Sequence, residues 1–151
     1  MSATLTWGIK NSLRDYITSL PDGSIDVTSP ATEDNGSFSF VAENTDSFSR
    51  EEMTGTLEFS GVVILSGYGG AMRIEINNPR IHLTNGQGLL SLTRGGVIGP
   101  ATWIPLVELK ATLSGDAVVC QTTLVAPGRS IVGEQYQDGQ EFDALTISLD
   151  S

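Results

Sequence analysis

The chain has 151 residues, a usual length for one domain and enough to bury a core without a disulfide or a structural metal. Its 18 acidic and 8 basic residues leave a net charge of −10. This argues against nucleic acid or an anionic membrane surface as partner, since both need clustered Lys and Arg. No stretch reaches the roughly 18 apolar residues of a membrane-inserted helix.

The opening residues, Met1-Ser2-Ala3-Thr4-Leu5, carry neither the basic segment nor the apolar run of a secretory leader. Two expectations follow: a cytoplasmic protein, or an excised mature domain with an added Met1. Residues Ile9, Leu13, Tyr16, Ile17 and Leu20 then recur at helical spacings. They predict a short amphipathic helix with Thr6 as its N-cap and Pro21 and Gly23 as its stop. Lys10, Asn11, Arg14 and Asp15 fall on the wet side, and Tyr16 is expected on the buried one.

Alternation with a period of two dominates the remainder. Phe38 and Phe40 flank Ser39, and Leu57, Phe59, Gly61, Val63 and Leu65 read as one face of a long strand. Met72, Ile74 and Ile76 alternate with Arg73 and Glu75, and Ile81 and Leu83 bracket His82. Val107, Leu109, Ala111 and Leu113 form another face, and Leu145, Ile147 and Leu149 close the chain. Turn signals separate these runs: Asp34-Asn35-Gly36, Ser66-Gly67, Asn77-Asn78-Pro79, Asn85-Gly86, Gly95-Gly96, Ser114-Gly115-Asp116 and Asp138-Gly139. Residues 28–34 and 43–52 read as polar loops. The pattern predicts a mainly β fold, antiparallel and sandwich-like. It should hold roughly 8–11 strands with one short N-terminal helix, in a single domain over residues 1–151.

Several chemistries find no support. His82 is the only histidine, so a His-rich zinc site is unavailable. No nucleophile elbow accompanies it, and it is expected as a solvated strand residue pointing away from Ile81 and Leu83. There is no phosphate-binding glycine loop. The acidic residues 46–52 lack the ordered spacing of a calcium loop. Cys120, the single cysteine, lies in an apolar run and reads as a small buried hydrophobe. Three tyrosines could reach a planar ligand: Tyr16 on the helix, Tyr68 among the small residues Ser66-Gly67-Tyr68-Gly69-Gly70, and Tyr136 before the last strand. Taken alone, their setting fits core or rim positions as well as a cofactor site.

Three separated segments resemble one known family in the right order. Leu5-Thr6-Trp7-Gly8-Ile9-Lys10-Asn11-Ser12-Leu13-Arg14-Asp15-Tyr16-Ile17 is similar to the opening of the HtaA domain, with its Trp-Gly-Val-Lys and its later Tyr-Val pair. Gly55-Thr56-Leu57-Glu58-Phe59-Ser60-Gly61, Gly67-Tyr68-Gly69-Gly70-Ala71-Met72 and Asn78-Pro79-Arg80-Ile81 are similar to its central stretch. Tyr136-Gln137-Asp138-Gly139-Gln140-Glu141-Phe142-Asp143-Ala144-Leu145-Thr146 resembles its terminal motif.

The resemblance implies a non-enzymatic haem-binding module of actinobacterial iron acquisition, extracellular or attached to the cell envelope. The lack of a leader leaves the cytoplasm open. It implies Tyr16 as the axial iron ligand, Tyr68 at the position of a histidine that hydrogen-bonds the ligand, and Tyr136 lining the site. Implied partners are haem, other haem-relay proteins or a haem-carrying host protein, with homo-oligomers compatible. Because the chain is acidic, the anionic propionates of haem would need a local cation, with Lys10, Arg14 and Arg73 as candidates. Tyr68 is the departure from the pattern. A phenol is a poor base beside a histidine, so the alternative is an HtaA-fold structural or protein-interaction domain with haem binding altered or lost.

Overall fold

The computed structural model describes residues 2–95 and 101–150. Eight strands pair antiparallel into a closed barrel. In order around it they are β1 (Ser2–Trp7), β12 (Glu141–Asp150), β11 (Ala117–Leu124), β10 (Ala101–Ser114), β9 (Gln87–Gly95), β8 (Arg80–Thr84), β5 (Gly55–Ser60) and β4 (Ser37–Asn44). Strand β4 returns to β1, so Leu5 faces Ile147 on one side and Phe40 on the other. Closure leaves the ring without a free edge. The short strand β3 (Thr32–Asp34) extends the sheet along β4. Inward positions alternate as strand geometry requires: Leu5, Trp7, Phe38, Phe40, Leu57, Ile81, Leu83 and Leu109 are all buried.

A second sheet holds β2 (Ser24–Thr28), β6 (Val62–Gly67) and β7 (Met72–Asn77), in the order β2-β6-β7. Helix α1 (Asn11–Ser19) packs on β2 and β6 through Leu13 and Ile17. Its end comes so close to β6 that a Cβ at Gly67 would lie 2.6 Å from the Leu20 side chain. A one-turn helix, α2 (Arg129–Val132), precedes the loop into β12.

The mainly β, antiparallel class agrees with the sequence reading, and twelve strands are present among the described residues. Several details differ. The single long strand predicted from Leu57 to Leu65 breaks at Gly61, and its halves, β5 and β6, belong to different sheets. Gly61 has φ +132°, and a Cβ there would lie 2.5 Å from that of Ala31. Its N–H donates to Asn78 Oδ1 at 3.1 Å, and its carbonyl accepts from Asn78 N at 2.9 Å. Thr6 is no helix cap: Ala3, Leu5 and Trp7 alternate in β1, and Lys10 occupies the cap position. Residues 28–34 include β3, and β4 runs on to Asn44. Leu113 is exposed near the β10–β11 turn, although its cross-strand partner Val118 is buried. The turns at Asn35-Gly36 and Asn85-Gly86 adopt the paired positive φ angles expected of tight hairpins. Gly96 of the Gly95-Gly96 signal lies outside the described residues.

The helix is pinned to the barrel by Asp143 of β12. Its carboxylate accepts from Asn11 N–H at 3.1 Å, in the first turn of α1, and from Arg14 Nη1 at 3.1 Å. Its carbonyl accepts from Trp7 Nε1 at 2.7 Å and Thr122 Oγ1 at 2.9 Å, and its N–H donates to Ile9 O at 3.0 Å. Arg14 also donates to Gly8 O, and a Cβ at Gly8 would sit 2.5 Å from the guanidinium. A carboxylate on orphan N–H groups at a helix start both satisfies them and meets the positive end of the helix dipole. Asp143→Ala should therefore destabilise the domain by about 1–2 kcal/mol, in the range of lost N-caps. Urea unfolding measures this, and an unchanged midpoint contradicts the anchor.

Candidate functional site

A cleft of about 740 Å³ opens between the end of α1, the start of β7 and α2 with its following loop. This volume falls within the ordinary range of small-molecule sites. Met72, Ile74, Ile131 and Val132 give it an apolar wall, and Tyr16, Tyr68 and Tyr136 all line it. The structure thus brings the three singled-out tyrosines together.

Tyr16 is 44% exposed, contrary to the buried position expected from helical spacing. On so short a helix the buried stripe is narrow. Leu13 and Ile17, four residues apart, fill it, and Tyr16 on its flank looks into the cleft. The Tyr16 and Tyr68 hydroxyls are hydrogen-bonded to each other, with ring centroids 6.5 Å apart and ring planes at 48°. Tyr68 is 55% exposed and opens a 3₁₀ turn, Tyr68–Gly70. Its φ is +54°, uncommon for an aromatic residue. The Asp22 carboxylate accepts from Tyr68 N–H at 3.1 Å and Gly69 N–H at 2.6 Å, and these two bonds hold it below the usual carboxylate range. Tyr68 keeps its proton above the ordinary phenol range, first because its hydroxyl is bonded to Tyr16. Tyr136 is half-buried and edge-on to Phe142 at 5.5 Å, and burial raises its phenol as well.

Of the candidate cations, Arg73 alone lines the cleft; its guanidinium lies 2.9 Å from Glu75. Lys10 donates to Glu141 O at 2.9 Å and sits 5.3 Å from the centroid of the Phe142 ring, while Arg14 is committed to Gly8 and Asp143. His82 stays on the barrel exterior, with Nδ1 2.8 Å from Thr56 Oγ1. Cys120 is fully buried, which pushes its thiol up to about 12. No helix of the described residues is long and apolar enough to cross a membrane.

The HtaA family model matches residues 2–148, nearly the whole chain. The chain belongs to the HtaA family. Its fold is similar to the C-terminal domain of HtaA from Corynebacterium glutamicum, with a TM-score of 0.79 and 23% identity, covering 97% of this chain and 94% of that one. The N-terminal domain of the same protein gives 0.78 and 20%, covering 100% and 98%. The haem-binding protein HtaB of that organism gives 0.70 and 17%, covering 97% and 93%. At these identities the likeness is one of fold. No curated protein matches the sequence.

Within this HtaA domain the separated sequence motifs are spatial partners. Trp7, Gly8 and Arg14 of the first motif close on Asp143 of the last. The central Gly67-Tyr68-Gly69-Gly70 forms the turn that meets the helix. Asp22, which lies within the Pro21–Gly23 helix stop, was not expected at the site, and neither was the wall from Ile131 and Val132. The only signal for either was position: an acid beside a helix end, and an apolar pair between glycines. Replacing Tyr16 by Phe removes the main partner that raises Tyr68. An NMR-monitored titration should find Tyr68 ionising at lower pH in Tyr16→Phe than in the wild type; an unshifted midpoint contradicts the contact.

Proposed function

We propose that this HtaA domain binds ferric haem in the cleft, where the Tyr16 phenol oxygen would hold the iron. One observation carries the reading: a helix phenol and a turn phenol meet at the mouth of an apolar-walled cleft, in a domain of this family. The fold it shares with the haem-binding protein HtaB supports it. Ferric haem supplies a Lewis-acidic iron and two anionic propionates. The residues present suit such a group. Tyr16 offers an exposed oxygen, and Ile74, Ile131 and Val132 offer apolar contact for a macrocycle. Arg73 lines the same cleft as a propionate partner, and Tyr136 is a wall residue.

Tyr16 must shed its proton to ligate iron, since a free phenol has a pKa near 10. In this reading Tyr68, whose phenol is held above the ordinary range by its bond to Tyr16, would donate a hydrogen bond to the Tyr16 oxygen when that oxygen holds iron, without acting as a base. No histidine or carboxylate lies among the described lining residues to pair with a nucleophile. The proposed role is uptake, storage or transfer of haem. A location at the cell envelope or outside it, with exchange to other haem-relay proteins or from a haem-carrying host protein, belongs to the same proposal.

A second reading is a structural or protein-interaction domain, favoured by a tyrosine at the position where the resemblance implies a histidine. Haemin titration separates the two. The first predicts a saturable tyrosinate-type ferric spectrum in the wild type that vanishes in Tyr16→Ala. Tyr68→His should bind about 10-fold or more tightly, the usual scale for a residue that supports a metal ligand. Absence of saturable binding, with self-association, selects the second; a spectrum unchanged in Tyr16→Ala removes Tyr16 from the role.

A further inference from the structure

We infer that Asp22 is a positioning residue for the ligating pair: its carboxylate fixes the backbone of the Tyr68 turn and thereby aims the Tyr68 hydroxyl at Tyr16. The inference rests on the haem reading for its consequence, but its geometry stands on its own. Three consecutive residues of the turn have positive φ: Tyr68 at +54°, Gly69 at +66° and Gly70 at +92°. An aromatic residue in that region carries strain that its surroundings must offset. Packing does not supply this, because the Tyr68 side chain is largely exposed and nothing lies within 4 Å of a Cβ built at Gly69 or Gly70. The two carboxylate oxygens of Asp22 do supply it, Oδ1 accepting from Tyr68 N–H and Oδ2 from Gly69 N–H. Successive N–H groups in such a turn form a natural cradle for an anion.

Asp22 is itself fixed by the end of α1. Leu20 N–H donates to Ile17 O at 3.2 Å and Gly23 N–H to Leu20 O at 3.2 Å. A Cβ at Gly23 would lie 1.7 Å from the Ile17 carbonyl oxygen, so glycine there lets the chain fold back against the helix. The segment that follows the Tyr16 helix therefore also holds the backbone of the Tyr68 turn.

The test uses the whole domain, with and without haemin. In the ligand-free protein, NMR should show ring-to-ring contacts between Tyr16 and Tyr68 and slow exchange of the Tyr68 and Gly69 amides. Asp22→Ala should lose both, and Asp22→Asn, which keeps one accepting oxygen, should lose less and serves if the alanine variant folds poorly. With haemin, Asp22→Ala should bind about 10-fold more weakly. Its phenolate-to-iron band should be displaced as in Tyr68→Phe. Adding Asp22→Ala to Tyr68→Phe should change affinity by no more than about twofold, because the two act through one contact. Persistence of the ring contacts in both Asp22 variants overturns the inference, as does a further tenfold loss in the double variant. Wild-type protein that binds no haemin overturns the haem reading alone, since the ligand-free contacts still decide the role of Asp22.

Discussion

A nine-residue helix has little stability of its own in water, and its placement depends on a carboxylate from the opposite end of the chain. Asp143 takes up N–H and guanidinium donors from the start of α1, while its own backbone bonds Trp7, Ile9 and Thr122. The first and last barrel strands are neighbours, so a contact spanning most of the sequence is short in space. Ile9 pays for this with φ +66°, an uncommon conformation for a β-branched residue, and remains fully buried. From that anchor the helix presents Tyr16 to the cleft and ends at the Asp22 clamp.

The electrostatics of the cleft differ from those of the whole molecule. The chain carries −10 overall, which opposes an anionic ligand at long range, but screening limits that effect to about 8–10 Å at physiological salt. The described cleft lining holds one cation, Arg73, and no carboxylate. Glu75 shares that guanidinium, and both partners are partly solvated, so the pair costs little to open. Affinity for a propionate-bearing ligand would then depend on apolar contact and iron ligation more than on charge. A tyrosine at position 68 would sharpen this dependence: it can donate to a phenolate but could not take up the proton that Tyr16 would release on ligating iron.

The antiparallel class was legible because period-two alternation survives in most strands, as in Val107 to Leu109 and Leu145 to Leu149. Its arrangement was not. Nothing local in Leu57 to Leu65 distinguishes one long strand from two strands in different sheets; the break depends on Ala31 and Asn78, remote in sequence, packing against Gly61. Barrel closure depends equally on β1, whose Ala3-Leu5-Trp7 alternation was overshadowed by the helical spacing just after it. At the site, the tyrosines were legible through the family resemblance, and their convergence on one cleft came only with the fold. The face of Tyr16 was misread because helical periodicity marks a stripe without its width. Asp22 left no motif, since its role is a pair of backbone hydrogen bonds to a turn 46 residues away.

In a crystal structure of the haemin-loaded domain, the iron is expected on the Tyr16 oxygen, with the Tyr68 hydroxyl hydrogen-bonded to that oxygen and the porphyrin against Ile131 and Val132. Iron held by any other side chain, or haemin seated outside this cleft, would contradict that placement.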